Sequence, residues 1–127
     1  MSKHAVSWFE IPVTDLDRAA TFYETILDIT MERMNLGGET AVFPTDDEEG
    51  VGGALIAPEG ADGGNEPSAT GPLVYLETGG DIQAVLDRVP AAGGEVLLER
   101  SEAGSYGYYA YIKDTEGNRV GLFESAN

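Results

Sequence analysis

The chain of 127 residues contains no cysteine and only one histidine, His4. The absence of cysteine excludes disulfide bridges, thiolate metal sites and a cysteine nucleophile. A lone histidine makes a Ser-His-Asp triad unconvincing, and we expect His4 to be a solvated terminal residue. The sequence also lacks the glycine-rich loop with which nucleotide-binding proteins hold phosphates.

Long apolar runs are absent as well, and no stretch approaches the roughly 20 apolar residues that a membrane-spanning helix requires. The first four residues lead into a strand-like segment rather than into the apolar core of a secretory signal. We therefore expect a cytoplasmic protein. The length suits a single domain, residues 1–127.

Basic residues are scarce, because seven lysines and arginines stand against 23 acids and give a net charge of −16. So negative a protein repels nucleic acid and anionic membranes, and we expect neither as a partner. The acids are spread along the whole chain, which favours adaptation to high salt over the attraction of a cationic ligand. The composition thus predicts a protein of a high-salt organism.

The first half of the chain shows an alternating pattern followed by a helical one. Residues 6–13 alternate in hydrophobicity, which predicts a strand whose buried face carries Ile11 and Val13. Thr14 is predicted to cap the helix that follows, with Asp17 three residues later in a capping-box arrangement. Three short strands are then predicted at about residues 30–35, 40–43 and 52–57.

The second half repeats this order of patterns. Residues 73–78 indicate a strand, and Asp81 is placed to cap a helix that Pro90 would end. Three further strands are predicted at residues 95–99, 108–113 and 119–124. A turn at residues 114–118, rich in Asp, Gly and Asn, joins the last two.

The repeated order of strand, helix and three strands predicts an α+β fold of two βαβββ modules. The modules occupy about residues 5–57 and 72–125, with residues 58–71 as a mobile connector. Each four-stranded sheet is expected to carry one helix on its outer face, where the apolar side of that helix is buried. The uncovered faces would curl into a mixed sheet around a cup, a natural site for a small molecule.

Several motifs extend this pattern nearly from end to end of the chain. They are Trp8–Ala19, Phe22-Tyr23, Leu73–Leu76, Ala92–Gly94 and Asp114–Leu122. Together they resemble the vicinal-oxygen-chelate superfamily of glyoxalases, bleomycin-resistance proteins and extradiol dioxygenases, and above all its small lactoylglutathione-lyase-related members of unknown substrate. The resemblance implies the paired βαβββ fold. It also implies a homodimer, because the family commonly pairs chains to bury its sheets.

Metal-dependent members of this superfamily hold a divalent ion with histidine and glutamate side chains from four strands. Carried over to this sequence, the four positions fall on Trp8, Gly53 or Ala54, Pro72 or Leu73, and Gly121. The last position carries the catalytic base of glyoxalases. A Zn²⁺ or Ni²⁺ site needs three or four nitrogen, oxygen or sulfur donor atoms. None of the side chains at these positions supplies one. The resemblance therefore implies a member without the family metal and without another cofactor.

The remaining residues of the predicted cup are mostly aromatic. The segment Gly104–Tyr109 brings glycines, which allow close approach of a ligand, beside tyrosines, which offer flat surfaces with hydroxyls. We predict a cup for a planar or cationic small molecule, or alternatively rings that only fill the space between the sheets. The predicted ligand-binding residues are Trp8, Glu10, Tyr75, Glu77, Tyr109, Tyr111 and Phe123.

Glu10 is the best candidate for acid–base chemistry. A carboxylate on the inner face beside Trp8 would be desolvated, which suits a general acid or base near neutral pH. The alternative function is therefore a lyase or isomerase that uses Glu10, with a non-standard ion such as Mg²⁺ held by Glu10 and Glu77. The structural alternative is a carboxylate held by hydrogen bonds from Tyr75 or Arg119.

Overall fold

The computed structural model describes residues 5–35, 38–45, 50–57 and 66–126. Its elements follow one another in the order that the sequence patterns predict. They are β1 (Trp8–Pro12), α1 (Leu16–Leu27), β2 (Glu32–Asn35), β3 (Glu39–Val42), β4 (Gly52–Ile56), β5 (Tyr75–Glu77), α2 (Ile82–Arg88), β6 (Glu95–Glu102), β7 (Gly107–Lys113) and β8 (Arg119–Ser125). A 3-10 turn, Gly104–Tyr106, precedes β7.

The strands form two four-stranded mixed sheets, one from each module. The first sheet has the order β1-β4-β3-β2, and the second has the order β5-β8-β7-β6. In each sheet the first strand of the module runs parallel to its last strand, and the other neighbours are antiparallel. Helix α1 packs on the first sheet and α2 on the second. The predicted α+β fold of two βαβββ modules is therefore confirmed.

The alternation in β1 correctly predicts which side of the first sheet is covered. Ile11 and Val13 are buried beneath α1, whereas Trp8 and Glu10 on the opposite side are exposed. Burial of this apolar face provides the main stabilisation of the module, since each large side chain removed from water contributes about 1.5 to 3 kcal/mol. The residues that α1 buries are Leu16, Ala19, Ala20, Phe22, Tyr23 and Ile26.

Asp15, and not Thr14, is the N-cap of α1, so the prediction for Thr14 is wrong. The Oδ1 atom of Asp15 accepts a hydrogen bond from the backbone N–H of Arg18 at 3.1 Å. The backbone N–H groups of Thr14 and Asp15 donate instead to Oε1 of Glu116, at 3.0 and 2.9 Å. A side chain about a hundred residues away thus completes the cap.

Helix α2 begins and ends where the sequence predicts. The Oδ1 atom of Asp81 accepts a hydrogen bond from the backbone N–H of Ala84 at 3.0 Å. The helix ends at Arg88, two residues before Pro90. In the described parts of the chain, no helix is both long enough and apolar enough to cross a membrane.

Helix α1 ends at Leu27, and its C-cap residue Asp28 has the left-handed backbone conformation with φ 55° and ψ 54°. A residue with a Cβ is strained there by about 1 kcal/mol, and glycine is not. We expect Asp28→Gly to raise the free energy of unfolding in urea by about 0.5 to 1 kcal/mol. Asp28→Ala keeps the Cβ and should give no such gain. Equal stability of the two variants would contradict this explanation.

The turn Asp114–Asn118 between β7 and β8, here called the joining turn, belongs to the second module and contacts the first module through its side chains. Asp114 is only 4% exposed, and its Oδ2 accepts a hydrogen bond of 2.6 Å from the hydroxyl of Tyr23 in α1. The side-chain amide of Asn118 donates to the carbonyl oxygen of Pro12 at 2.7 Å. Both residues therefore form turn structure, as predicted, and at the same time contact the first module.

Glu116 gives the joining turn a charged contact with the first module. Its buried carboxylate lies 2.7 Å from Nε of Arg18, whose side chain is half exposed. Desolvation alone would raise the pKa of Glu116. Hydrogen bonds from Arg18, Thr115 and the backbone N–H groups of Asp15 and Thr14 outweigh desolvation and lower this pKa to about 2. Glu116 is therefore ionised whenever the protein is folded near neutral pH.

The described end of the connector lies against the same turn. The backbone N–H of Ser68 donates to Oδ1 of Asn118 at 3.0 Å, and its carbonyl oxygen accepts from the N–H of Arg119 at 3.3 Å. These contacts fix residues 66–71 to the start of β8. Residues 58–65 of the predicted mobile connector lie outside the described residues.

Candidate functional site

Four of the predicted rings surround one open pocket, here called the tyrosine pocket, on the uncovered face of the second sheet. Its volume is about 440 Å³. The strand register brings the rings together, because Tyr109 lies opposite Phe123 while Tyr111 and Tyr75 both lie opposite Gly121. The lining residues are Tyr75, Ala103, Tyr109, Tyr111 and Phe123.

Gly121 makes room for the ring of Tyr75 in this pocket. A Cβ atom at position 121 would lie 2.5 Å from Cδ1 of Tyr75, so a larger residue would displace the ring. The hydroxyl of Tyr75 donates to that of Tyr111 at 3.4 Å. This hydrogen bond, together with desolvation, raises the pKa of Tyr75 to about 12. Near neutral pH the hydroxyl of Tyr75 is therefore uncharged.

Trp8 and Gly52 repeat this arrangement in the first sheet. They lie opposite each other on β1 and β4, and a Cβ atom at position 52 would be 3.2 Å from Cζ3 of the indole. Trp8 is 42% exposed and does not line the tyrosine pocket. The predicted set of ligand-binding rings is therefore divided between the two sheets.

Glu10 is exposed, so the prediction of a desolvated carboxylate is wrong. Its Oε2 accepts a hydrogen bond from Nε1 of Trp8 at 3.3 Å rather than one from Tyr75 or Arg119. Glu10 lines a cavity of about 220 Å³ between β1 and the start of β8, here called the arginine cavity. The exposed Glu77 lines a different cleft of about 350 Å³. The structure therefore does not bring the two carboxylates into one cavity.

Arg119 is a site residue that the sequence patterns did not single out as a ligand contact. It lines the arginine cavity, and its Nε atom is buried with no hydrogen-bond partner among the described residues. Its guanidinium carbon lies 5.5 Å from the centre of the Tyr111 ring, which lines the tyrosine pocket. The signal that could have found it is the alternation in β8, which places Arg119 on the same face as Gly121 and Phe123.

Comparison with known proteins identifies the family. The model of the Glyoxalase/Bleomycin resistance protein/Dioxygenase superfamily matches residues 5–122. The chain belongs to this superfamily. It is also 28% identical over 121 residues to the Mycobacterium tuberculosis protein named "Putative glyoxylase CFP32". That match covers 94% of this chain and 45% of the relative, so the chain spans about half the length of the curated relatives it matches.

Solved structures of other superfamily proteins share the fold over nearly the whole chain. A glyoxalase/bleomycin resistance protein from Albidiferax ferrireducens has a TM-score of 0.70 at 17% identity, covering 95% of this chain and 98% of that one. The fosfomycin resistance protein FosX from Listeria monocytogenes has a TM-score of 0.63 at 17% identity, covering 96% and 91%. Identities this low are evidence for the fold alone.

The residues at the superfamily's metal positions do not fit a divalent ion. The register places Ala54 opposite Glu10 and Gly121 opposite Tyr75, and neither Ala54, Gly121 nor Trp8 carries a metal donor. Within the described residues, no group of three or more His, Cys, Asp or Glu side chains is arranged to hold a metal. Trp8, Ala54 and Gly121, which the resemblance assigns to the metal site, therefore supply none of the three or four donors that zinc needs.

Proposed function

We propose that this superfamily member binds a planar or cationic small molecule in the tyrosine pocket, and that it does so without the divalent ion of metal-dependent relatives. The observation that carries the proposal is an open pocket of about 440 Å³ with three tyrosines and a phenylalanine in its walls. Aromatic walls bind flat rings through stacked and edge-to-face contacts, and they bind cations over the ring faces.

The exposure of the rings favours binding over simple filling of the space between the sheets. Rings that only filled a core would be buried, as Phe22 and Tyr23 are. Tyr75 is instead 46% exposed, and Tyr109 and Tyr111 are half-buried. Apolar surface grouped on one exposed face of a protein is typical of an interaction site.

The superfamily's metal positions support binding that is independent of a metal. At two of these positions this chain has an indole ring (Trp8) and a hydrogen atom (Gly121) in place of a metal-ligand side chain. Gly121 also makes room for the ring of Tyr75. These substitutions remove charge and add flat apolar surface. The lyase or isomerase alternative has less support, because Glu10 is exposed and lines a different cavity from the four rings.

A thermal-shift screen of planar and cationic compounds on metal-free protein tests this proposal. A ligand present at about 100 times its Kd should raise the free energy of unfolding by about 2.7 kcal/mol, and a chelator should not change that gain. Tyr109→Ala should weaken binding about tenfold, because it removes one wall of the pocket.

Tyr106→Ala provides the matched control, since Tyr106 is 77% exposed and lies outside the pocket. It should leave the affinity unchanged. The proposal fails if no compound shifts the melting temperature, or if the two alanine variants bind equally well. Binding that disappears with a chelator would show that a metal is required.

A further inference from the structure

Arg119 places an unpaired, buried N–H group beside the tyrosine pocket. Within the part of the chain that the structure describes, its Nε atom has no hydrogen-bond partner, and its guanidinium carbon is 5.5 Å from the centre of the Tyr111 ring. A buried donor without an acceptor is unfavourable, and more so when it is part of a charged group. The arrangement therefore favours a ligand that supplies an acceptor at this point.

Three other arginines of the described chain have a polar partner, whereas Arg100 and Arg119 each lie over a tyrosine ring. The pairs are Arg18 with Glu116, Arg33 with Asp17, Arg88 with the carbonyl oxygen of Ile26, and Arg100 with the ring of Tyr108. In a protein of net charge −16, acceptors for a guanidinium are abundant. An arginine whose Nε lacks one is held away from them by the fold.

Among the described residues, the carboxylates that line the arginine cavity form no ion pair with Arg119. Glu10 and Glu66 both line the arginine cavity with it, yet in the described residues neither forms an ion pair with its guanidinium. They still make the cavity unfavourable for a second anionic group, because like charges repel. A ligand with a single anionic group, bound directly at the guanidinium, would meet less of this repulsion than a ligand with two.

We infer that Arg119 binds the carboxylate of a planar aromatic monoacid whose ring system lies against Tyr111 and its neighbours in the tyrosine pocket. A guanidinium presents parallel N–H donors that match the two oxygens of a carboxylate. Alternation in the second sheet places Arg119 and Tyr111 on the same uncovered face, and the guanidinium carbon is 5.5 Å from the ring centre, so a ligand against this ring would lie beside the guanidinium. The inference rests on the proposed function and names the class of its ligand.

Calorimetric titration of the full chain with three naphthalene probes tests the inference. The probes are 2-naphthoate, its neutral analogue 2-naphthamide, and the cationic 2-naphthylmethylammonium, all in one buffer. We expect the acid to bind at least about tenfold more tightly than the amide, because a hydrogen bond to a charged group contributes that much. Equal or tighter binding of the amide or the amine overturns the inference and leaves the proposed function standing. Failure of all three overturns both.

Variants at position 119 separate the guanidinium from the pocket. Arg119→Met should weaken 2-naphthoate about 10- to 100-fold and leave 2-naphthamide within about twofold. Arg119→Lys keeps the positive charge but loses the paired N–H donors. Its affinity for 2-naphthoate should therefore lie between those of the wild type and Arg119→Met. Arg100→Met is the matched control, since Arg100 also lies over a tyrosine but lines neither cavity. A preference for the acid that survives Arg119→Met would refute the assignment.

Discussion

Asp114→Ala is expected to lower the free energy of unfolding by about 3 to 5 kcal/mol, because it leaves several buried donors without an acceptor. The carboxylate accepts from the hydroxyl of Tyr23 at 2.6 Å and from the backbone N–H groups of Glu116 and Asn118 at 2.8 and 2.9 Å. It also accepts from the side-chain amide of Asn118 at 3.1 Å. Burial raises the pKa of Tyr23 well above its ordinary value, so its hydroxyl remains a donor.

Unfolding in guanidinium chloride, monitored by circular dichroism, measures the effect of Asp114→Ala. Tyr23→Phe removes one donor and keeps the carboxylate's other partners, so it should cost only about 1 to 2 kcal/mol. Asp17→Ala is the surface control: the Asp17 side chain is 86% exposed in its ion pair with Arg33, and its loss should cost less than about 1 kcal/mol. An Asp114→Ala protein as stable as the Asp17→Ala protein would refute the buried-acceptor explanation.

Glu116→Gln is expected to lower the free energy of unfolding by about 2 to 3 kcal/mol at pH 7. It should also make that free energy less dependent on pH between about 5 and 2. The pKa of Glu116 is about 2 in the folded protein, against an ordinary value of 4.5. A lowered pKa means that the carboxylate stabilises the folded state above about pH 4.5. That contribution is lost as the pH falls through about 2. The difference between the two proteins should therefore shrink from pH 5 to pH 2.

Unfolding curves of both proteins at several pH values between 7 and 2 measure this difference. Glu32→Gln is the control, because Glu32 is an exposed acid on β2 and its loss changes the net charge by the same amount. Removal of one charge from so negative a chain should by itself reduce self-repulsion and not destabilise the protein. A constant gap between wild type and Glu116→Gln across this pH range would contradict the role given to the carboxylate.

The fold was predictable because its main determinants are local. The alternation of Ile11 and Val13 with polar neighbours indicated the covered face of β1, and Asp81 and Pro90 marked the ends of α2. Each of these signals depends only on residues within a few positions of one another. Two such patterns in the same order were enough to predict two modules with one helix each.

Features that depend on distant contacts were not predictable in this way. Thr14 and Asp15 are both good capping residues. Which of them caps the helix depends on Glu116, which is distant in sequence but contacts both backbone N–H groups in the fold. Glu10 lies on the predicted face, but its exposure depends on how widely the two sheets open. That Nε of Arg119 lacks an acceptor among residues 5–35, 38–45, 50–57 and 66–126 is equally a property of the assembled fold, since no sequence pattern reveals which acceptors stay out of reach.

The joining turn also has a consequence for engineering. A short reverse turn between two antiparallel strands is the usual place to insert an epitope tag or to open new termini by circular permutation. Here Asp114, Glu116 and Asn118 all contact the other module, so a single inserted residue would shift at least one of them out of reach. We expect this hairpin to tolerate insertions poorly, because lengthening it would loosen one half of the protein from the other.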